Sequence, residues 1–350
     1  MEFVLRQQEF RKLIDSVIPA VSNSVEIPVF GCLKIDASNG GVTIHGMDSR
    51  ISMRSVVQAA VKRPGIAVVA GKALSDLVRL LLPDSSVSVR MVGETRLQVV
   101  SGRSTMHLNT LTVDNFPTVP AYDAKCFVTT DGFFSDLKKV GFAASREDGR
   151  PVLQGVLVKN GEIVAVDGHR MAIKKIPYSL PDPIIIPASA IDRISKVFDN
   201  EQLGIAVDGT SVFFKQGVND ASARLLEGQF PNYMAVIPKD SFTVAQVKRA
   251  DLIYALKVVG LAADRLNTVL LSFNDGVLHL TAECPEIGRA EEKIECAFKG
   301  SCSMGVNAQY VSQAIERMQA EVISFEIRSE LKPLLLREDG YLHVIMPKRV

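Results

Sequence analysis

The sequence contains no apolar run approaching the ~20 residues that a membrane helix needs. It opens on Met1-Glu2-Phe3-Val4-Leu5-Arg6, with neither the basic-then-apolar order of a signal peptide nor the arginines of a transit sequence. These absences lead to the expectation of a cytoplasmic protein with no membrane partner. Pairs of the CxxC type are also missing, and the five cysteines (Cys32, Cys126, Cys284, Cys296 and Cys302) are odd in number. Neither a disulfide framework nor a zinc site is indicated, and the cysteines read as small buried hydrophobes. Charge of either sign is not in excess, the formal net charge being +1. That balance does not announce a nucleic-acid binder, yet a local surplus on one face would suffice for phosphates. No glycine-rich phosphate loop precedes a helix, no nucleophile or metal-ligand spacing stands out, and no segment is of low complexity.

What is present is a threefold internal similarity. Segments starting at Val68, Ile185 and Met304 each begin with a short apolar run, then a small or amide residue and a helix-like stretch. A turn and two alternating segments follow. The spacing is close to a third of the 350 residues, so the repeat is a whole domain and not a solenoid unit of ~20–50 residues. Hydrophobic residues make up 47% of the chain, enough for each third to bury its own core.

Each third opens on an edge-strand pattern and an amphipathic helix. Phe3, Phe10, Leu13 and Val17 carry it in the first, and Phe127, Phe134, Leu137 and Val140 in the second. A helix from Leu252 to Ala263 carries it in the third. Second helices are expected at 73–82, 188–198 and 308–319. Strands are expected at 29–35 with 42–44, at 152–158 with 163–166, and at 269–273 with 277–280. Others are expected at 86–91 with 96–101, at 204–207 with 211–215, and at 322–327 with 333–337. Turns such as Asn160-Gly161 and Asn274-Asp275-Gly276 separate paired strands. The unit is α+β, with antiparallel strands and two helices. Prolines punctuate joins near 117–124 and 237–241, giving domains 1–121, 122–240 and 241–350.

Four segments carry a resemblance. Ser101-Gly102-Arg103-Ser104, followed by Leu108 and Thr110-Leu111, is similar to the first-domain signature of the bacterial DNA polymerase III β subunit family, the sliding clamps. Asp167-Gly168-His169-Arg170-Met171-Ala172 resembles the second-domain signature. Phe230-Pro231-Asn232-Tyr233 resembles the end of that domain, and Met346-Pro347-Lys348-Arg349-Val350 the C-terminal tail. The resemblance implies three clamp domains with sheets outside and helices inside, two chains joining head to tail into a ring around duplex DNA. It implies a processivity factor without catalysis or cofactor. A specialised clamp paralogue with altered partners is the nearest alternative. Expected partners are DNA without sequence preference, a second copy, and a replicative polymerase, clamp loader and other clients bound by short peptide motifs.

The same resemblance implies three sets of site residues. A peptide groove involves Leu153, Val166, Gly168, His169, Arg170, Met171, Pro231, Val236, Leu266, Asn307, Tyr310, Leu331, Pro333, Met346, Pro347 and Arg349. Apolar side chains would form its walls, and His169, Arg170 and Asn307 would orient an extended segment. Ala235 stands where some relatives have a basic residue, and Leu266 where some have an aromatic one. Phosphates would meet Lys72, Arg79, Lys138, Lys139, Arg146, Arg150, Arg193, Lys196, Lys257 and Arg265, which cannot read base sequence. Ser24 lies in the family's DNA-contacting loop, beside Glu26. A subunit contact would join Arg96, Arg103, Met106 and Leu108 to Leu261, Glu286, Glu291 and Glu292, with Arg289 interrupting the acidic cluster. A rival reading makes Asp167 and His169 the acid and base of a hydrolase.

Overall fold

A computed structural model describes residues 1–22, 27–38, 40–119, 128–147, 149–198, 201–238 and 243–349. Ser24, Glu26, Cys126, Phe127, Ser241, Val350 and the join at 120–124 therefore lie outside the described residues. Among those described, the α-helices are α1 (Gln7–Asp15), α2 (Gly71–Leu80), α3 (Phe133–Gly141), α4 (Ala188–Ile194), α5 (Arg249–Gly260) and α6 (Ala308–Arg317). None is long and apolar enough to cross a membrane.

The chain folds into two compact units. Unit 1 holds Met1–Ser135 with Ser189–Leu226, and unit 2 holds Asp136–Ala188 with Glu227–Val350. The middle third of the sequence thus contributes to both. In unit 1 an antiparallel sheet runs through 13 strands, with Asn219–Arg224 paired to Ile51–Gln58 as its fourth and fifth strands. In unit 2 a sheet of 12 strands is joined the same way, by Arg170–Lys175 against Tyr341–Ile345.

Alternation drives these strands. Gly41–Met47 and Thr268–Asn274 bury every second residue, so one face of each turns to the core. Helices close that core by the complementary period. Helix α1 buries Gln7, Phe10, Leu13 and Ile14 along one stripe, and Phe10 meets Phe3 edge to face at 5.9 Å. Phe133, Phe134, Phe198 and Phe214 form an aromatic cluster in unit 1. Phe273, Phe298 and Phe325 do so in unit 2.

Several expected elements shift. The strands expected at 29–35 and 152–158 begin later, because Pro28–Gly31 and Pro151–Gln154 are 3-10 turns with proline at the first turn. Proline presets φ there and has no N–H to give a ladder. Helix α4 stops at Ile194, after which the bonds tighten, Lys196 N–H to the Arg193 carbonyl and Val197 N–H to that of Ile194. Helix α5 starts at Arg249, earlier than the expected Leu252. Val17 falls past the end of α1 yet is fully buried.

Candidate functional site

In unit 2 the segment Asp167–Arg170 is a tight turn between two strands. Asp167 Oδ1 accepts the backbone N–H of His169 and of Arg170, both at 2.9 Å, and Gly168 takes a φ of 92°, a conformation that favours glycine. Asp167 Oδ2 accepts Arg170 Nε at 3.0 Å. The carboxylate is spent on the turn, which speaks against its use as a hydrolytic acid.

Arg170 is only 9% exposed at its side chain. Its guanidinium also donates to the Phe142 carbonyl at 2.7 Å and to Gln313 of α6. It lies over the Tyr310 ring at 4.4 Å and the Phe142 ring at 5.0 Å, while Arg317 covers Phe142 at 4.0 Å. Contrary to the expectation that it would orient a bound segment, Arg170 is committed to the fold. It ties the turn to α6. Behind it, Phe142 stacks on His343, whose ring is wholly buried.

Asn307 is likewise committed. As N-cap of α6 its Oδ1 accepts the Tyr310 amide at 3.2 Å, and its Nδ2 donates to the Leu266 carbonyl at 3.1 Å. Burial pushes the Tyr310 hydroxyl pKa up. Leu266 sits on a turn built by Asp264, whose Oδ1 accepts the amides of Leu266 at 3.0 Å and Thr268 at 2.8 Å. The Thr268 amide, foremost among these donors, holds the Asp264 carboxyl below the usual range.

The C-terminal tail closes the set. Met346 N–H donates to the His169 carbonyl at 2.9 Å, and Lys348 N–H to that of Gly305 at 2.8 Å. Lys348 Nζ reaches the Leu266 carbonyl at 2.5 Å and Thr268 Oγ1 at 3.2 Å. Leu266 and Arg349 line one open cleft of about 580 Å³. The structure thus brings His169, Arg170, Met171, Leu266, Asn307, Tyr310, Met346, Pro347 and Arg349 into one neighbourhood. Leu266 and Leu331 are 66% and 72% exposed, large values for leucine, and Val236 and Met346 are exposed as well. Leu153, Met171 and Pro333 are buried, Val166 is half-buried, and Gly168 and Pro231 are exposed. Asp264, Gln313 and Phe142 shape this neighbourhood and were not singled out from sequence, whereas Lys348 stands in the tail motif without an assigned role. The Asp264-Arg265-Leu266-Asn267 turn composition was the available signal for one of them.

Of the basic residues, Lys72, Lys138, Arg146, Arg150, Lys196, Lys257 and Arg265 are exposed and Lys139 is half-buried. Arg79 pairs with Asp15 at 2.7 Å, and Arg265 lies 3.8 Å from Glu286. Arg193 departs from the expectation. It donates to Asp48 and to the Pro19 carbonyl, so its charge holds unit 1 together and does not await a phosphate. Arg11 and Lys12 on α1, missed in the sequence, line one cleft of about 520 Å³ with Lys196.

Leu108 also departs from its assignment. It is 6% exposed and pairs across from Leu97, which makes it core and not contact surface. Arg96, Arg103, Leu261, Glu286 and Glu291 are exposed, with Met106 and Glu292 half-buried. Ser104–Leu111 pairs with Arg96–Ser101 along its length, but with Gly65–Ala70 only at Thr110 and Leu111. Gly288–Ala297 pairs with Val277–Cys284, but with Thr243–Lys248 only at Cys296 and Ala297. Each of these two strands thus presents a long open edge among the described residues.

Comparison with known proteins agrees with this architecture. Residues 1–120 match the DNA polymerase III beta subunit N-terminal domain, 128–232 its central domain and 234–349 its C-terminal domain. The chain belongs to the DNA polymerase III beta subunit family. It is 27% identical to the beta sliding clamp of Bacillus subtilis, with 100% of both chains covered. It is 26% identical to that of Staphylococcus aureus, covering 100% of this chain and 99% of the relative. The crystal structure of the Bacillus subtilis sliding clamp superposes with a TM-score of 0.93 at 26% identity, covering 100% of this chain and 99% of that one. A clamp of Bartonella birtlesii, solved bound to griselimycin, gives 0.94 at 25% identity, with 100% of both chains covered. The family's antiparallel, three-domain design is the α+β repeat legible in the sequence.

Proposed function

We propose that this chain is a DNA polymerase processivity factor, a sliding clamp that encircles duplex DNA and tethers client proteins without catalysing a reaction. The observation that carries this is the succession of three family domains in order along the chain. The domains are taken as 1–121, 122–240 and 241–350, and the site of action as the cytoplasm.

Two copies close head to tail. The open edges support this, since an unpaired edge offers N–H and C=O groups to another strand. One edge is flanked by Arg96 and Arg103 and the other carries Glu291 and Glu292 near Glu286, so the contact is heterologous and charge-matched. Phosphates meet Lys72, Arg79, Lys138, Lys139, Arg146, Arg150, Lys196, Lys257 and Arg265, with Arg11 and Lys12 added. Clients enter the unit 2 groove, where Val236, Leu266, Leu331 and Met346 supply exposed apolar contact over the buried Met171, and His169 an exposed polar edge. A loader and a replicative polymerase are the clients expected to carry the peptide.

The test is topological. Loaded onto a nicked circle by a clamp loader, the protein should co-elute with the circle and leave when one cut linearises it. Retention on the linear product, or nanomolar preference for one short sequence, would refute the reading, because phosphate contacts alone bind weakly and without sequence preference.

A further inference from the structure

The strand junctions of the two units are copies of one design. In unit 1, Asp48 Oδ1 accepts the amides of Arg50 and Ile51 at 2.8 and 2.9 Å, as Asp167 does in unit 2 for the next two residues but one. Arg224 N–H donates to the Arg50 carbonyl at 2.8 Å, where unit 2 has Met346 and His169. The registers then match row by row. Ser52 pairs with Ser222 where unit 2 pairs Met171 with Val344. The row His45, Arg54, Asp220 and Lys215 stands where unit 2 has Val164, Ile173, Leu342 and Arg337. Three apolar positions of that row in unit 2, Val164, Ile173 and Leu342, are thus His45, Arg54 and Asp220 in unit 1.

His45, Ser52, Arg54, Lys215, Asp220 and Ser222 line a pocket of about 330 Å³, walled by Phe213 and Val119. Its donors outnumber its acceptors. Arg54 gives one N–H to Asp220 at 2.6 Å and keeps others, its side chain being 43% exposed. The Lys215 ammonium is exposed and has no partner among the described residues. Ser52 Oγ and Ser222 Oγ lie 2.7 Å apart, so whichever hydroxyl accepts still has its own proton to give. The buried Nδ1 of His45 has no partner among the described residues. Against Arg54 and Lys215 stands the single carboxylate of Asp220. We propose that this pocket is a carboxylate-binding site, the polar counterpart of the groove in unit 2. The carboxylate would take charge-assisted bonds from Lys215 and Arg54 while its carbon stem packs on Phe213 and Val119. The comparison with unit 2 explains the pocket's position, but the proposal stands on the pocket's own groups and survives if the groove reading fails.

Calorimetric titration of the full-length protein at fixed ionic strength tests it. One arm uses succinate and the other a short peptide with two glutamates and no large apolar side chain. Saturable millimolar binding is expected in at least one arm. Binding by succinate alone identifies a free small acid, and binding by the peptide alone an acidic segment of a partner. Lys215→Gln, at an exposed position, should weaken binding about threefold to fivefold, as loss of one exposed charge contact does. Adding Arg54→Gln should remove binding, and Lys159→Gln, outside the pocket, should leave it unchanged. Circular dichroism melting confirms that each variant is folded. No saturable binding in either arm, or wild-type affinity in Lys215→Gln, overturns the proposal.

Discussion

Arg170 shows how one residue type is dictated by its surroundings. Its Nε bonds Asp167, another nitrogen reaches the Phe142 carbonyl at 2.7 Å, and its flat face covers two rings. A lysine ammonium can neither fork between these acceptors nor stack. Replacing Arg170 with alanine leaves Asp167 half-buried beside an empty space, and should cost about 3 kcal/mol in urea unfolding, with Arg170→Lys in between. An unchanged midpoint for the alanine variant would mean that the turn does not depend on this pair. His343 next to it carries a different consequence. Burial above all, with Arg170 and Arg317 nearby, lowers its pKa from 6.5 to about 3, and neither ring nitrogen has a partner among the described residues. Between those values the unfolded chain binds a proton that the folded one does not. Stability is therefore fully present above about pH 6.5 and falls by roughly 1.4 kcal/mol per unit as the pH drops toward 3. His343→Phe keeps the stack on Phe142 and removes that proton site. Urea midpoints measured from pH 7 to about pH 4 should fall less steeply in the variant than in the native chain. Parallel curves would show that His343 titrates alike in both states.

At the level of elements, the tail is a strap and not a loose end. It continues past Tyr341–Ile345, bonds His169 through Met346, bridges Gly305 through Lys348, and is pinned by Lys348 Nζ to Leu266. Deleting Met346–Val350 removes one wall of the groove but no strand of the sheet. Binding of a labelled client-type peptide, read by fluorescence polarisation, should be lost, while light scattering finds the same assembly as before. Full binding by the truncated chain would misplace the groove, and dissociation into monomers would give the tail a structural role. Element type was largely legible from periodicity, since α6 and the strand Val322–Ile327 begin where the pattern places them. The exceptions have local causes. Pro28 and Pro151 convert the starts of two expected strands into 3-10 turns.

For the whole molecule, the proposed assembly rests on two open edges and opposite charges. Arg103 is exposed in the turn that precedes Ser104–Leu111. Arg103→Glu would face the glutamates with like charge, so the homodimer should weaken and light scattering at micromolar protein should report monomer. The residue lies outside the core, so its melting temperature should stay close to that of the native chain. A variant that remains dimeric would remove this edge from the contact, and a native monomer would remove the ring.

By itself the sequence determined the threefold repeat, the α+β alternation within each third and the family. These are properties of neighbours along the chain, where side-chain period and turn chemistry act over a few residues. Tertiary structure alone decided who meets whom at long range. It split the middle third between two units, committed Arg170 to Gln313 and Arg193 to Asp48, and buried Leu108. It also set Ser52 against Ser222, 170 residues apart, and so placed a polar pocket where the equivalent junction is apolar. No local pattern encodes such pairs, because an arginine bound for a core and one bound for a phosphate look the same until the opposite strand or helix arrives.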